Sequence, residues 1–234
     1  MAVLGTNISR SLRTTPDRAS EEGLRQSVET LAHLPPLELD LLVLPESTIS
    51  IPLDGAQASD YLHQLGEMVV RVGAPILVGA LGSGVGGGQT GADPAVDGVQ
   101  GVVKPTNSAF LVDRGGALVN RYDKQRLVPG MERGGFNAGK GVTVFPVGGH
   151  RFGPLICYES LFFSVARAQA RAGAKVLVNI SSDIWFGSGT TGFSSLFLHQ
   201  HAAHLVMRSV ETRSAVARAG NGGFSLLLDP NLLW

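Results

Sequence analysis

The chain has 234 residues, with 19 Lys plus Arg against 19 Asp plus Glu, a hydrophobic share of 44%, a charged share of 16% and a single cysteine. The cancelled charge argues against a nucleic-acid footprint, which needs a basic surplus on one face, and the apolar content suits a buried α/β core rather than a disordered chain. One cysteine excludes an internal disulfide and any multi-cysteine metal site.

No apolar run approaches the roughly eighteen residues that a bilayer-spanning helix needs. The start, Met1-Ala2-Val3-Leu4-Gly5-Thr6-Asn7, lacks the basic opening and long apolar core of a signal peptide. As written, the chain reads as soluble and without an export signal.

In chain order, Ala2 to Ile8 reads as a first core strand. Thr15-Pro16-Asp17 opens a helix to about His33, with Leu24, Val28 and Leu31 at helical spacing, and Pro35-Pro36 stops it. Leu39 to Leu44 is an apolar strand that leaves at Pro45-Glu46-Ser47. A helix over Ala56 to Val72 and a strand over Pro75 to Leu81 follow. Gly82, Gly84 and Gly87 then spell G-x-G-x-x-G, yet the chain runs into Gly88-Gln89-Thr90-Gly91 with no helix start, so a mobile hairpin tip is expected rather than a dinucleotide site.

Asn107 to Val112 and Ala117 to Tyr122 form a hairpin around Asp113-Arg114-Gly115-Gly116. Val142 to Val147 and Arg151 to Ile156 pair next, turning at Gly148-Gly149. The apolar Leu155-Ile156 stops at Cys157, and a helix over Leu161 to Arg171 follows. A strand over Ala174 to Ile180, a loop over Ser181 to Gly187, a long helix over Ser194 to Arg213 and strands over Ser214 to Arg218 and Gly223 to Leu228 complete the pattern. Helices alternating with strands and hairpins predict one α/β domain over 1–234, with a mixed sheet or two sheets packed between helices.

Three polar residues follow apolar strands in the same way: Glu46, Lys124 and Cys157. Strands lying side by side and ending at one edge would bring them together, where α/β sheets place functional groups. An ordinary thiol, with a pKa near ~8.5, is a poor nucleophile until a base takes its proton. Glu46 in a dry pocket would supply that base, and the Lys124 ammonium would meet a developing oxyanion. The bland alternatives are a buried cysteine and two solvated charges. His199, His201 and His204 form no His-Glu-x-x-His pattern and are expected to serve packing or an interface; no metal is expected. Trp185-Phe186 suit a pocket wall beyond a strand end, and Asp183 is expected in the same substrate pocket, fixing their loop by bonding its backbone.

Leu44-Pro45-Glu46-Ser47, Tyr122-Asp123-Lys124 and Ile156-Cys157-Tyr158-Glu159 together resemble the Glu-Lys-Cys triad of the nitrilase (carbon–nitrogen hydrolase) superfamily. The resemblance implies an α-β-β-α sandwich, two mixed sheets between helix layers, commonly paired into dimers. Within the superfamily the likeness is strongest to the catalytic domain of the apolipoprotein N-acyltransferase branch, and it runs from Val3 to Pro230. It is carried by Tyr122 to Pro129, by Glu132 eight positions past Lys124, by Cys157-Tyr158-Glu159, by Ser182-Asp183-Ile184-Trp185-Phe186-Gly187, and by Glu211-Thr212-Arg213 through Asn221-Gly222-Gly223 and Asp229-Pro230.

That resemblance implies a reaction without cofactors. Cys157 would take an acyl chain from a phospholipid as a thioester and pass it to the N-terminal amine of a lipoprotein. Glu46 would act as base and acid, and Lys124 with the Tyr158 backbone N–H would hold the oxyanion, while Glu132 and Glu159 support the set. It implies a domain facing the periplasm at a bacterial inner membrane, although the membrane helices that flank the domain in that branch are absent from this sequence. The segment 133–141 is short and Gly-rich where the branch carries a longer apolar arm. Met131 replaces a glycine, and the sequence ends at Asn231-Leu232-Leu233-Trp234, which reads as a domain truncated at its C-terminus. The competing expectations are a soluble amidase or nitrilase-type hydrolase with the same triad, and an inactive fragment or binding module.

Overall fold

The structure, a computed structural model, describes residues 1–8, 11–12, 15–33, 38–84, 103–187 and 192–232. Its logic is plainest at Leu41 to Leu44, each 0% exposed. A strand sends successive side chains to opposite faces. Leu42 and Leu44 enter a cluster with helical residues such as Leu24 and Leu65, whereas Leu41 and Val43 meet Phe152, Val178 and Ile180 from elsewhere in the chain. A strand apolar on both faces is thus covered on both, by helices on one side and a second sheet on the other.

The first sheet holds β1 (Ala2–Val3), β2 (Leu42–Val43), β3 (Ile49–Pro52), β4 (Ile76–Gly82), β5 (Thr106–Val112) and β6 (Leu118–Asp123), in the order β1-β2-β4-β5-β6 with β3 also on β4. β1, β2 and β4 run parallel; β5 is antiparallel to β4 and to β6. The second sheet holds β7 (Phe145–Val147), β8 (His150–Ile156), β9 (Val176–Ser182), β10 (Ala215–Asn221) and β11 (Leu226–Leu228), ordered β11-β10-β9-β8-β7, with a parallel centre and antiparallel edges. Helices α1 (Pro16–Ala32) and α2 (Ser59–Val72) cover the first sheet, and α3 (Phe163–Arg171) and α4 (Gly192–Thr212) the second. This is an α-β-β-α sandwich with two mixed sheets.

Several local expectations shift. The first strand is only Ala2–Val3; the chain then crosses to the second sheet, bridging at Thr6 and Asn221, where the Asn221 side chain accepts from the Ile8 N–H at 2.8 Å. Val28 does not share the buried stripe of α1 and is 40% exposed. That stripe consists of Ala19, Ser20, Gly23, Leu24, Ser27 and Leu31, and its small residues let α1 lie close: a Cβ on Gly23 would sit 2.6 Å from the Thr48 carbonyl oxygen. The helix after Cys157 begins as a 3-10 turn over Cys157–Leu161 before α3. Of the G-x-G-x-x-G run, Gly87 and the expected hairpin tip lie outside the described residues, while the flanking β4 and β5 pair antiparallel as hairpin strands do. Among the described residues no helix is long and apolar enough to cross a membrane.

Candidate active site

Glu46, Lys124 and Cys157 do meet, though not along three neighbouring strands. Glu46 leaves β2 and Lys124 leaves β6, which β4 and β5 separate; Cys157 leaves β8 in the other sheet. β6 runs in the direction of β2 because two antiparallel steps restore it, so both strands end at one edge and Cys157 closes on them across the sandwich. All three line one cavity of about 600 Å³.

The carboxylate of Glu46 collects at least three donors. Asn107 Nδ2 reaches Oε1 at 2.7 Å, Lys124 Nζ reaches Oε1 at 3.3 Å, and the Ser182 backbone N–H reaches Oε2 at 2.7 Å. Ser47 just beyond has φ 57, so the chain turns sharply there. β4 makes room with Gly79, where a Cβ would lie 2.5 Å from the Glu46 Cα.

Lys124 is 1% exposed and lies between two acids, donating at 2.8 Å to Glu132 Oε1 as well as to Glu46. Burial alone would lower its pKa, but the negative charges of Glu46, Cys157 and Glu132 outweigh that and hold the ammonium above its ordinary value. Asn107 Nδ2 also donates to Glu132 Oε1 at 3.0 Å, and the Val128 N–H fixes Oε2 at 2.7 Å.

Cys157 has φ 48, in the left-handed region that a side chain disfavours. Such conformations persist where surrounding contacts over-determine them, and they gather at functional sites. Burial, then the charge of Glu46, push its thiol up to about 12, against the opposing pull of Lys124 and a hydrogen bond from Ser181. Part of the residue stays open to the cavity.

Glu159 stands beneath both loops. Its carboxyl accepts from the backbone N–H of Gln125 (2.7 Å), Arg126 (3.2 Å) and Ile156 (2.8 Å), and from the Tyr122 hydroxyl at 2.9 Å. Burial raises its pKa, with these donors opposing. Tyr158 follows Cys157 in the 3-10 turn and meets Phe162 edge-on at 5.0 Å.

Trp185 and Phe186 line the cavity, with Phe186 stacked on Phe197 at 5.7 Å. Asp183, expected in the pocket wall, instead lies behind it, fully buried. Its carboxylate binds Arg218 Nη2 at 2.5 Å, His201 Nδ1 at 2.9 Å and the Ser181 hydroxyl at 2.8 Å rather than the backbone of its loop. Burial pushes that carboxyl up, but the hydrogen bond to His201 and the charge of Arg218 prevail and bring it down to about 2.

Read from the sequence, His201 and His204 have only a packing or interface role, and Asn107 and Arg218 have none. His201 and His204 both face the cavity, and His201 Nε2 lies 3.3 Å from the Cys157 carbonyl oxygen. Among the described residues no group of three or more His, Cys, Asp and Glu is arranged to hold a metal ion. Asn107 sits on a strand with no sign in the sequence that its amide joins two glutamates. Arg218 is 0% exposed inside β10; an arginine in an otherwise small and apolar strand, Ala215 to Asn221, was the available signal.

A family model described as carbon–nitrogen hydrolase matches residues 3–232. Apolipoprotein N-acyltransferase of Geobacter metallireducens is 34% identical over 144 residues, covering 54% of this chain and 26% of that protein. The one from Sinorhizobium medicae is 31% identical over 211 residues, covering 81% and 36%. The chain thus spans about a quarter to a third of the length of these curated relatives. An amidase from Nesterenkonia sp. has a similar fold, with TM-score 0.60, 19% identity, and coverage of 97% of this chain and 81% of that one. With the α-β-β-α sandwich and a match over nearly its whole length, the chain belongs to the carbon–nitrogen hydrolase family of the nitrilase superfamily.

Proposed function

We propose that Cys157 is the nucleophile of an acyl transfer from phospholipid to the N-terminal amine of a lipoprotein, with Glu46 as its base and Lys124 as the cation that meets the oxyanion. The observation that carries this reading is Lys124 Nζ held between Glu46 and Glu132 in the cavity that Cys157 lines. The relatives named apolipoprotein N-acyltransferase support the choice of reaction.

With its pKa pushed up to about 12, the thiol does not ionise unaided at neutral pH, so the proton must leave as the bond forms. Glu46 takes that proton while Sγ attacks the ester carbonyl. The tetrahedral oxyanion is met by Lys124 Nζ and the Tyr158 backbone N–H. Collapse breaks the ester bond, the leaving alkoxide takes the proton back from Glu46, and a lysophospholipid departs from the Cys157 thioester. In the second half an amine attacks the thioester, Glu46 removes its proton, and the thiolate leaves and is reprotonated. Glu132 and Glu159 orient the set: Glu132 anchors the ammonium, and Glu159 ties the Lys124 loop to the end of β8.

The cavity suits an acyl chain. Met131, Leu161, Trp185, Phe186 and Phe197 contribute apolar surface around the polar cluster. The reading puts the domain beside the membrane that supplies its donor, at the periplasmic face of a bacterial inner membrane.

Intact-mass analysis after exposure to phospholipid micelles tests it. An acyl adduct is expected on the wild type, absent from Cys157→Ala, and discharged onto a peptide with an N-terminal cysteine. Release of ammonia from small amides with no acyl adduct would replace this reading with a hydrolase. Absence of both the acyl adduct and ammonia release would leave a binding module.

A further inference from the structure

Beside the reactive cavity lies a second one of about 530 Å³, and Phe136 and Tyr158 line both. Its charge is one-sided: Lys104, Arg126 and Arg133 line it and no Asp or Glu does, in a chain whose charges cancel at 19 against 19. Some arginines elsewhere in the fold answer to acids, as Arg121 does to Asp54 and Asp123, Arg208 to Glu211 and Arg218 to Asp183. Among the described residues, no ion pair includes Lys104, Arg126 or Arg133.

Arg126 is also held in place. Its backbone N–H donates to Glu159 at 3.2 Å, and its guanidinium lies 5.4 Å from the centre of the Phe162 ring. Packing on an aromatic face fixes the plane of a guanidinium without using its N–H donors, which leaves the fork suited to an oxyanion with two acceptor oxygens. Phe162 in turn meets Tyr158, next to Cys157. The pre-set cation and the reactive thiol are therefore joined through one short aromatic link.

We propose that this basic cavity holds the phosphodiester of the glycerophospholipid whose ester Cys157 attacks; the inference rests on the acyl-transfer reading and names the subsite that selects the donor. In such a lipid the ester carbonyl and the phosphate are only a few bonds apart along the glycerol. A carbonyl at Cys157 obliges the phosphate to lie in an adjoining compartment. The apolar end of the reactive cavity, at Trp185 and Phe197, would strip water from that charge without replacing it. The basic cavity replaces it with three cations and draws the donor in over longer range. A neutral glyceride with the same acyl chains forgoes this attraction, so the subsite discriminates phospholipids from neutral lipids and retains the lysophospholipid until it is released.

The experiment reads binding, in protein that cannot react. Cys157→Ala is titrated with a short-chain lysophosphatidylglycerol, kept below its micelle concentration, and with the monoacylglycerol of the same chain. The charged lipid is expected to bind about tenfold tighter or more at low salt, with the advantage shrinking as salt screens it. Adding Arg126→Gln and Arg133→Gln should abolish the advantage, whereas Arg126→Lys and Arg133→Lys should keep most of it, with unchanged thermal midpoints verifying the fold. Equal affinities for the two lipids, or an advantage that survives loss of both arginines, would overturn the proposal. So would inorganic phosphate binding as tightly as the lysolipid, which would make the cavity a free-phosphate site. A charge preference in Cys157→Ala alongside a wild type that forms no thioester would sink the transfer reaction alone.

Discussion

His201 reaches from its Nε2 to the backbone carbonyl oxygen of Cys157, 3.3 Å away, while its Nδ1 lies 2.9 Å from Asp183. Asp183 is in turn held by Arg218 at 2.5 Å. A buried chain of polar groups thus runs from β10 to the residue whose φ of 48 puts its backbone in a disfavoured region, at a cost of about 1 to 2 kcal/mol. The chain is a means of keeping Cys157 in that conformation. His201→Leu is expected to slow acylation of Cys157 by about 100-fold, the scale of a small misplacement of a reacting atom, with KM changed much less. His201→Gln, which keeps a donor, should recover part of the rate. Single-turnover acylation measures both; a leucine variant with the wild-type rate would remove His201 from the positioning of the thiol.

Asp183 makes the same chain visible in the pH dependence of stability. Its folded pKa, about 2, lies below its ordinary value of 3.8. A depressed carboxyl stabilises the fold above the unfolded value, and that contribution is lost as pH falls through the folded one. Asp183→Asn should therefore be less stable than the wild type at pH 7, by about 3 to 5 kcal/mol because Arg218 is left buried without its anion. The gap should narrow between pH 4 and pH 2. Urea unfolding across that range checks it, and a gap of constant size would mean that the carboxylate charge is not what stabilises the cluster.

Glu46 has opposite effects on two reactions of the same thiol. Its charge is one reason, after burial, that the Cys157 thiol is pushed up to about 12. Glu46→Gln should then bring the pKa down, so alkylation by a small neutral reagent at pH 8 becomes faster. Acyl transfer, which uses the carboxylate as base, should become slower by about 100-fold or more. In the wild type the alkylation rate should keep rising with pH well beyond 9, where an ordinary thiol would level off. If Glu46→Gln slowed alkylation and acylation alike, Glu46 would be supporting the thiolate rather than opposing it.

What could be read from the sequence follows from where each residue stands. Glu46, Lys124 and Cys157 each follow closely on the end of a strand, and a strand end is visible in one dimension. The helices over the first sheet could be inferred for the same reason, since Leu24 and Leu31 or Leu65 and Val69 repeat at helical spacing. The route by which the triad meets was not visible. Cys157 arrives from the second sheet, and no local pattern says which face of which sheet packs on which. Asn107, His201 and Arg218 were hidden by their types: each is usually solvated or merely packed, and only the third dimension shows Asn107 joining Glu46 to Glu132 or Arg218 meeting Asp183. Asp183 misled for a related reason, because its place in a pocket loop says nothing about the direction of its side chain.

Lys124 carries a prediction about charge rather than shape. It is the one cation bonded to both Glu46 and Glu132 among the described residues. Lys124→Met keeps the length and apolar stem but leaves the buried Glu46 carboxylate and the partly buried Glu132 carboxylate without their shared cation. Acylation should fall by about 100- to 1000-fold, the usual effect of removing a group that meets an oxyanion, and stability at pH 7 should fall as well. Lys124→Arg should restore stability better than it restores rate, since a planar fork does not present the same point charge. A methionine variant that stayed fully stable would show that Glu46 and Glu132 do not depend on the ammonium.

Glu159 offers the sharpest separation of a scaffold role from a chemical one. Among the described residues, its carboxyl accepts hydrogen bonds from three backbone N–H groups and the Tyr122 hydroxyl. The backbone donors come from both sides of the site, Gln125 and Arg126 beside Lys124, and Ile156 beside Cys157. In Glu159→Gln the amide NH₂ must face at least one of these donors, leaving a buried N–H without an acceptor at about 1 to 3 kcal/mol and loosening the tie between the two loops. Tyr122→Phe removes one donor and leaves the three N–H groups bound, so it should cost less, about 1 kcal/mol. Stability should therefore fall more in Glu159→Gln than in Tyr122→Phe, and acylation should follow the same order even though neither side chain touches the thiol. Equal or reversed losses in urea unfolding would mean that the hydroxyl, not the carboxylate, holds the Lys124 loop against the end of β8.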